Sequence, residues 1–210
     1  MIFYLNQFGS KLSGVSYSGG EPLLYLDKII KIAECIDNTQ KHIYQWIYTN
    51  GLLVNEDVLI KLKSVGINEV RVNLAATDFN DKIVGKLKMV KEIIGKVTIE
   101  VPSIREVFKK LVDEEYLYRL EEYGVEQINL SELTLDQPLN WETYAINEDI
   151  YEYDTSNWIL HSPVQSRVNV AKIIQYSLKN NVNVLINDCS NDSKHLHEIM
   201  REQNSPLIMR

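Results

Sequence analysis

The sequence predicts an α/β fold of parallel βα repeats in a single domain. Three observations carry that expectation. Short apolar strand patterns alternate with helical periodicities along the chain. Gly66, Gly95 and Gly124 each stand just past a helical stretch, where a residue with free access to positive φ lets the chain reverse. A length of 210 residues with 45% hydrophobic content is enough to bury one core. Repeated strand–helix units imply a parallel sheet with right-handed crossovers, either open or curled into a barrel.

The strand candidates, in order, are Val15–Ser18, Ile43–Tyr48, Glu69–Leu74, Val97–Val101, Gln127–Ser131 and Val182–Asn187. Between the first two, Leu26, Ile29, Ile30, Ala33 and Ile36 form a stripe at i, i+3, i+4 and i+7 spacing. Asn55 is placed to N-cap a helix over Glu56–Val65. Further helices are expected over Lys82–Ile94 and Glu114–Tyr123, over Arg167–Lys179 behind a Ser166 cap, and over Asp192–Glu202. Within the strands one face is apolar and the other is not. Arg71 and Asn73 oppose Val70, Val72 and Leu74; Thr98 and Glu100 oppose Val97, Ile99 and Val101; Asn129 and Ser131 oppose Ile128 and Leu130. Two readings account for this: half-exposed strand ends, or a curved sheet whose concave face lines a hydrated or ligand-filled cavity.

Composition removes several function classes. The net charge of −7 argues against nucleic-acid binding, which calls for a basic face. No apolar run is long enough to cross a membrane, and Met1–Leu12 lacks the pattern of a signal peptide; a cytoplasmic location is the expectation. Cys35 and Cys189 are too few for a disulfide framework or a self-contained iron–sulfur site. His195 and His197 are two apart, not the three or four that a helical metal pair needs, and His42 and His161 are isolated, so no metal site is expected. Charge is unevenly spread. Residues 106–160 hold 14 acids and 3 bases, and residues 132–154 hold seven acids, no base, and Trp141, Tyr144, Tyr151 and Tyr153. This acidic aromatic insertion, at about residues 132–165, reads either as a solvated loop or as a lid or docking surface.

The chemistry-bearing motifs are turns. Ser18-Gly19-Gly20-Glu21-Pro22 ends the first strand: two glycines allow a sharp, ligand-accessible turn, and Pro22 suits the first position of a helix. Ile47-Tyr48-Thr49-Asn50-Gly51 ends the next strand, placing both turns on the sheet edge where α/β proteins bind ligands. Strand, Gly-Gly-Glu-Pro and helix, followed by Thr-Asn-Gly, resemble successive βα units of the radical S-adenosylmethionine superfamily. Ile99–Ile104, Ile128-Asn129-Leu130-Ser131-Glu132-Leu133 and Asn187-Asp188-Cys189-Ser190 extend the likeness, toward a prokaryotic branch related to pyruvate formate-lyase activating enzymes.

The resemblance implies a partial, TIM-like barrel. It implies that Gly19, Gly20, Glu21, Pro22, Thr49, Asn50, Arg71 and Asn73 cradle S-adenosylmethionine, with Glu100, Asn129 and Glu132 on the substrate side. An arginine can grip a carboxylate through two parallel hydrogen bonds; a rim ion pair with Glu100 is the alternative use of Arg71. The family also holds a 4Fe–4S cluster on Cys-x-x-x-Cys-x-x-Cys, ahead of the Gly-Gly-Glu-Pro turn. No cysteine precedes Cys35 here, and Met1–Leu12 reads as the helix that follows that loop, so this chain alone is not expected to bind the cluster. Two functional expectations follow. One is reductive cleavage of S-adenosylmethionine to a 5′-deoxyadenosyl radical, with the cluster segment supplied from elsewhere. The other is a degenerate, non-catalytic paralogue or fragment that binds a nucleoside, a peptide or a partner subunit. With no strand before it, Val15–Ser18 is expected to be an exposed edge, open to a second copy or a partner chain.

Overall fold

The structure, a computed structural model, describes residues 13–38, 43–145, 148–154 and 159–204. The helix expected over Met1–Leu12, and His42, lie outside the described residues. Among the described residues eight strands are formed: β1 (Gly14–Tyr17), β2 (Tyr44–Thr49), β3 (Glu69–Val72), β4 (Val97–Pro102), β5 (Gln127–Ser131), β6 (Ile150–Asp154), β7 (Ile159–Pro163) and β8 (Leu185–Cys189). Six of them make one sheet in the order β1-β2-β3-β4-β5-β8. The first three pairings are parallel, with Tyr17 opposite Ile47, Thr49 opposite Val72, and Val72 opposite Ile99. Strands that pair in sequence order, each followed by helical structure, are the arrangement of an incomplete βα barrel, and the edges β1 and β8 do not pair with each other. The expected α/β class and partial barrel are both found.

Contacts along the chain divide it into two compact units. One comprises Met1–Glu100, Tyr118–Ile128 and Asn183–Leu185; the other comprises Val101–Leu117, Asn129–Val182 and Ile186–Arg210. In the first unit the apolar strand face is sealed: Ile47, Val70, Val72, Val97 and Ile99 are buried, as are Ala33, Ile36, Leu59 and Leu62 of the covering helices α1 (Leu26–Asp37) and α2 (Glu56–Ser64). Each of the Val, Ile and Leu side chains among them contributes about 1.5–3 kcal/mol on burial. Asn55 caps α2 as expected, its Oδ1 accepting the Val58 N–H.

Four expected elements differ from those observed. The helix over Lys82–Ile94 is two helices, α3 (Asp81–Val84) and α4 (Leu87–Ile94), broken at Gly85–Lys86. The helix over Glu114–Tyr123 starts later, as α6 (Tyr116–Glu122), because Glu115 sits at φ +57 between it and a π-turn at Lys109–Asp113; α5 (Arg105–Phe108) precedes that turn. Ser166 does not cap its helix. α8 (Val164–Lys179) opens directly after Pro163, and Ser166 is buried inside its first turn, accepting the Leu133 N–H. The last sheet strand starts three residues later than Val182–Asn187 and ends two later. Val182 and Val184 are buried not as strand but as a turn: the Val182 N–H bonds to the Ser177 carbonyl, and pairing resumes with the Leu185 N–H on the Glu126 carbonyl.

In the second unit the acidic insertion is folded. It contains α7 (Pro138–Tyr144) and an antiparallel pair, β6 with β7, that sets Glu152 opposite His161. α9 (Asn191–Asn204) follows β8. Among the described residues no helix is long and apolar enough to cross a membrane.

Candidate functional site

β1 ends at Tyr17, and the chain turns through Gly19 (φ +100) and Gly20 (φ +57), a region that L side chains occupy at a cost. Both glycines are exposed, and a Cβ on either would meet no atom within 4 Å. Glu21 then adopts an extended conformation and caps the 3₁₀ turn Pro22–Tyr25. Its carboxylate joins the first turn to the second. Oε1 accepts the Leu23 N–H (3.1 Å) and the Thr49 hydroxyl (2.8 Å), and Oε2 accepts the Asn50 N–H (2.7 Å). Inside the second turn the Gly51 N–H donates to Thr49 Oγ1 at 3.0 Å, and the Leu52 N–H donates to Asn50 Oδ1 at 2.9 Å. Gly51 has φ +80, and a Cβ there would lie 2.5 Å from Ile83 Cγ2, so glycine is required for both conformation and space. The third unit reaches the same turn: the Asn73 N–H donates to the Thr49 carbonyl at 2.9 Å. Gly19, Gly20, Glu21, Pro22, Thr49, Asn50 and Asn73 are thereby brought to one sheet edge. The exposed Asn73 also turns the chain after β3, its Oδ1 accepting the Ala76 N–H.

Arg71 is differently placed. It lies two residues earlier on its strand, and its guanidinium is already engaged. Nε donates to Glu69 Oε1 (2.9 Å); Nη1 donates to the Tyr48 hydroxyl (3.1 Å) and to Glu100 Oε1 (3.2 Å); Nη2 donates to Glu69 Oε2 (3.4 Å). Its Cζ stands 4.9 Å from the Trp46 ring and 5.5 Å from the Tyr48 ring. Glu69 is 0% exposed and also accepts the Tyr44 hydroxyl (2.9 Å). Burial pushes the Glu69 carboxyl up, but its hydrogen bonds and charge pairing with the Arg71 guanidinium and its bond from the Tyr44 hydroxyl hold it below its ordinary value. Thus the ion pair with Glu100 is present, with a second, buried carboxylate that sequence reasoning did not single out. The signal for it was the Glu69–Arg71 alternation, which puts both side chains on one face. Register adds the aromatics, with Trp46 opposite Glu69 and Tyr48 opposite Arg71. The polar strand face is therefore filled in this unit by a charged and aromatic network.

The other two substrate-side candidates lie in the second unit. Asn129 is buried, its Oδ1 accepting Asn187 Nδ2 at 2.9 Å. Glu132 is also buried. It accepts the Tyr151 hydroxyl in a very short contact, the Ser162 hydroxyl (3.0 Å) and the Asn191 N–H (2.9 Å). The carboxylate at the end of β5 therefore ties the β6–β7 hairpin to the start of α9. Arg167 pairs with Asp188 at 2.8 Å in the same unit. Tyr151 was noted in the sequence only as part of the acidic aromatic insertion, and Ser162 and Asn191 escaped notice, because the three meet Glu132 at sequence separations of 19 to 59.

Donor chemistry decides which implied groups suit these residues. A cluster held on three thiolates needs three cysteines. The sequence has two, Cys35 within α1 and Cys189 at the end of β8, so these residues do not fit the cluster. At Gly19 and Gly20 the space in front of the backbone is open, and both residues hold positive φ. Among the described residues no group of three or more His, Cys, Asp or Glu is placed to hold a metal ion.

No protein-family model matches the chain. Over 99 residues it is 27% identical to a putative glycyl-radical enzyme activating enzyme of Methanocaldococcus jannaschii, a match covering 43% of this chain and 26% of that protein. The chain thus matches about a quarter of the length of that curated relative. A domain of pyruvate-formate lyase-activating enzyme from Bacteroides vulgatus superposes with a TM-score of 0.53 at 17% identity, covering 83% of this chain and 98% of that one. SuiB of Streptococcus suis superposes with a TM-score of 0.59 at 16% identity, covering 90% of this chain and 42% of that one. In sequence and in fold, the chain resembles the radical S-adenosylmethionine branch related to pyruvate formate-lyase activating enzymes.

Proposed function

We propose that this chain is the S-adenosylmethionine-binding part of a radical S-adenosylmethionine-type fold, with Gly19, Gly20, Glu21, Thr49, Asn50 and Asn73 forming the rim that takes the methionine end of the cofactor. The observation that carries this reading is the Glu21 carboxylate, which locks the Gly-Gly-Glu-Pro turn to the Thr-Asn-Gly turn while leaving the two glycines open. Reductive cleavage of the cofactor then requires thiolates from another segment or chain, because the two cysteines here do not make a cluster site. Calorimetry tests the binding step. The full chain is expected to bind S-adenosylmethionine, and Gly20→Leu, which fills the cradle from a strained φ, is expected to lower affinity at least about tenfold. Absence of binding at millimolar ligand, or equal binding by the variant, would sink the reading.

The non-catalytic alternative is favoured by Arg71, whose hydrogen bonds already go to Glu69 and Glu100. On that reading adenosine alone binds as well as S-adenosylmethionine in the same titration.

The proposal extends to a partner at β1, which among the described residues is a sheet edge with Ser16 exposed. An unpaired edge is a template for another strand. Sedimentation is expected to show a dimer at micromolar concentration, and a monomer there would count against this edge as an interface.

A further inference from the structure

The break between α3 and α4 places a lysine at the second turn. The Lys86 Nζ donates to the Gly51 carbonyl and to the Leu52 carbonyl, each at 3.0 Å. At the same turn, the Glu21 carboxylate accepts the Asn50 N–H and the Thr49 hydroxyl. A carboxylate therefore sits at the amide end of the turn and an ammonium at its carbonyl end, each in its favourable place along the peptide dipoles. The same short segment touches the turn twice, because Ile83 packs where a Gly51 Cβ would be. Lys86 is half-buried, and burial lowers its pKa.

We propose that Lys86 is a positioning residue for Thr49-Asn50-Gly51: it holds the carbonyl end of the turn while Glu21 holds the amide end, presetting the rim beside the open glycines. The consequence for ligand affinity rests on the S-adenosylmethionine reading; the clamp does not.

Amide hydrogen exchange on the ligand-free full chain tests the clamp. The internal bonds of the turn supply the reporters: the Gly51 N–H on Thr49 Oγ1, the Leu52 N–H on Asn50 Oδ1 and the Val54 N–H on the Gly51 carbonyl. Lys86→Met is expected to speed exchange at these three amides about tenfold or more, the size of a lost charged hydrogen bond. Lys86→Arg restores most of the protection, and the amides of Ile99 and Val101 in β4 stay at wild-type rates. Unchanged exchange at Gly51–Val54 overturns the proposal. Equal acceleration in β4 overturns it as well, since Lys86 would then support the fold at large. Calorimetry with S-adenosylmethionine separates the two readings. A tenfold weaker affinity of Lys86→Met supports a preset rim, and equal affinity overturns that role. If the wild-type chain binds nothing, the cofactor reading fails and the exchange rates alone decide the clamp.

Discussion

Replacing Glu132 with alanine is expected to cost roughly 3–5 kcal/mol of stability, because it strands buried donors that have been taken out of water. Three groups lose their acceptor: the Tyr151 hydroxyl, the Asn191 N–H and the Ser162 hydroxyl. Ser162 retains the Leu133 carbonyl at 2.6 Å, so most of the loss falls on the other two. Glu132→Gln keeps one acceptor oxygen and is expected to cost about half as much. Urea unfolding reads both, through the midpoint at constant slope. A second readout is Tyr151, whose phenol is pushed up to about 12 by burial and by the hydrogen bond and charge of Glu132. A raised phenol pKa stabilises the fold fully below the ordinary value of 10.0, and that contribution is lost as pH rises through about 12. In Glu132→Gln the carboxylate charge is gone and burial remains, so an ultraviolet titration should find Tyr151 ionising at lower pH than in the wild type. The two roles of Glu132 make opposite predictions. A carboxylate reserved for substrate is replaceable with little loss of stability; one that fastens the hairpin is not. A cost under about 1 kcal/mol would remove the fastening role, since exposed groups rarely exceed that.

What was legible in the sequence was local. β5 falls at Gln127–Ser131, as its alternation indicated, and Asn55 caps α2 because an N-cap acts over three residues. The two glycine-bearing turns were legible as turns, and parallel pairing of neighbouring strands was enough to put them on one edge. What joins them was not. The Glu21–Thr49 bond spans 28 positions and the Lys86–Gly51 bond spans 35, and no local pattern marks either. Misplaced boundaries have equally physical origins. Val182 and Val184 read as strand because a short apolar run does not declare whether a sheet or a turn will bury it. Gly85 and Lys86 left the helical periodicity of residues 82–94 intact, yet the helix is interrupted there, at the residue whose ammonium reaches the turn. The hairpin at β6–β7 was hidden by its own composition. Tyr151 and Tyr153 alternate with Glu152 and Asp154, but a segment so acidic resembles solvated loop until Tyr151 finds Glu132 and the segment pairs with the facing strand.

Arg71→Met is expected to destabilise the chain by roughly 3–5 kcal/mol at neutral pH, the usual cost of removing one member of a buried ion pair. Glu69 would keep the Tyr44 hydroxyl and a distant Lys96, at 3.7 Å, but would lose its two shared bonds with the guanidinium. The pH dependence gives the argument its sign. In the wild type the Glu69 carboxyl lies below its ordinary value of 4.5, so the stability it contributes is present above that value and is lost as pH falls through the lowered folded-state pKa. Without Arg71, burial dominates and the carboxyl moves above its ordinary value. Its contribution in the variant is then favourable at low pH and is lost as pH rises through the raised value. The stability difference between wild type and variant is therefore expected to narrow as pH drops from 7 toward 4, measured by urea midpoints at each pH. The same variant separates the two uses of this arginine. If Arg71 serves to grip a ligand carboxylate, Arg71→Met lowers affinity for S-adenosylmethionine and leaves stability and its pH dependence nearly unchanged. If it neutralises Glu69 beneath the Trp46 and Tyr48 rings, stability falls in the way described, and ligand affinity changes no more than it does for a substitution elsewhere in the same network, such as Tyr44→Phe. The bonds seen here favour the second outcome, because four of the five guanidinium N–H groups already face a carboxylate or a phenol, and a two-bond grip on a third carboxylate would have to displace one of them.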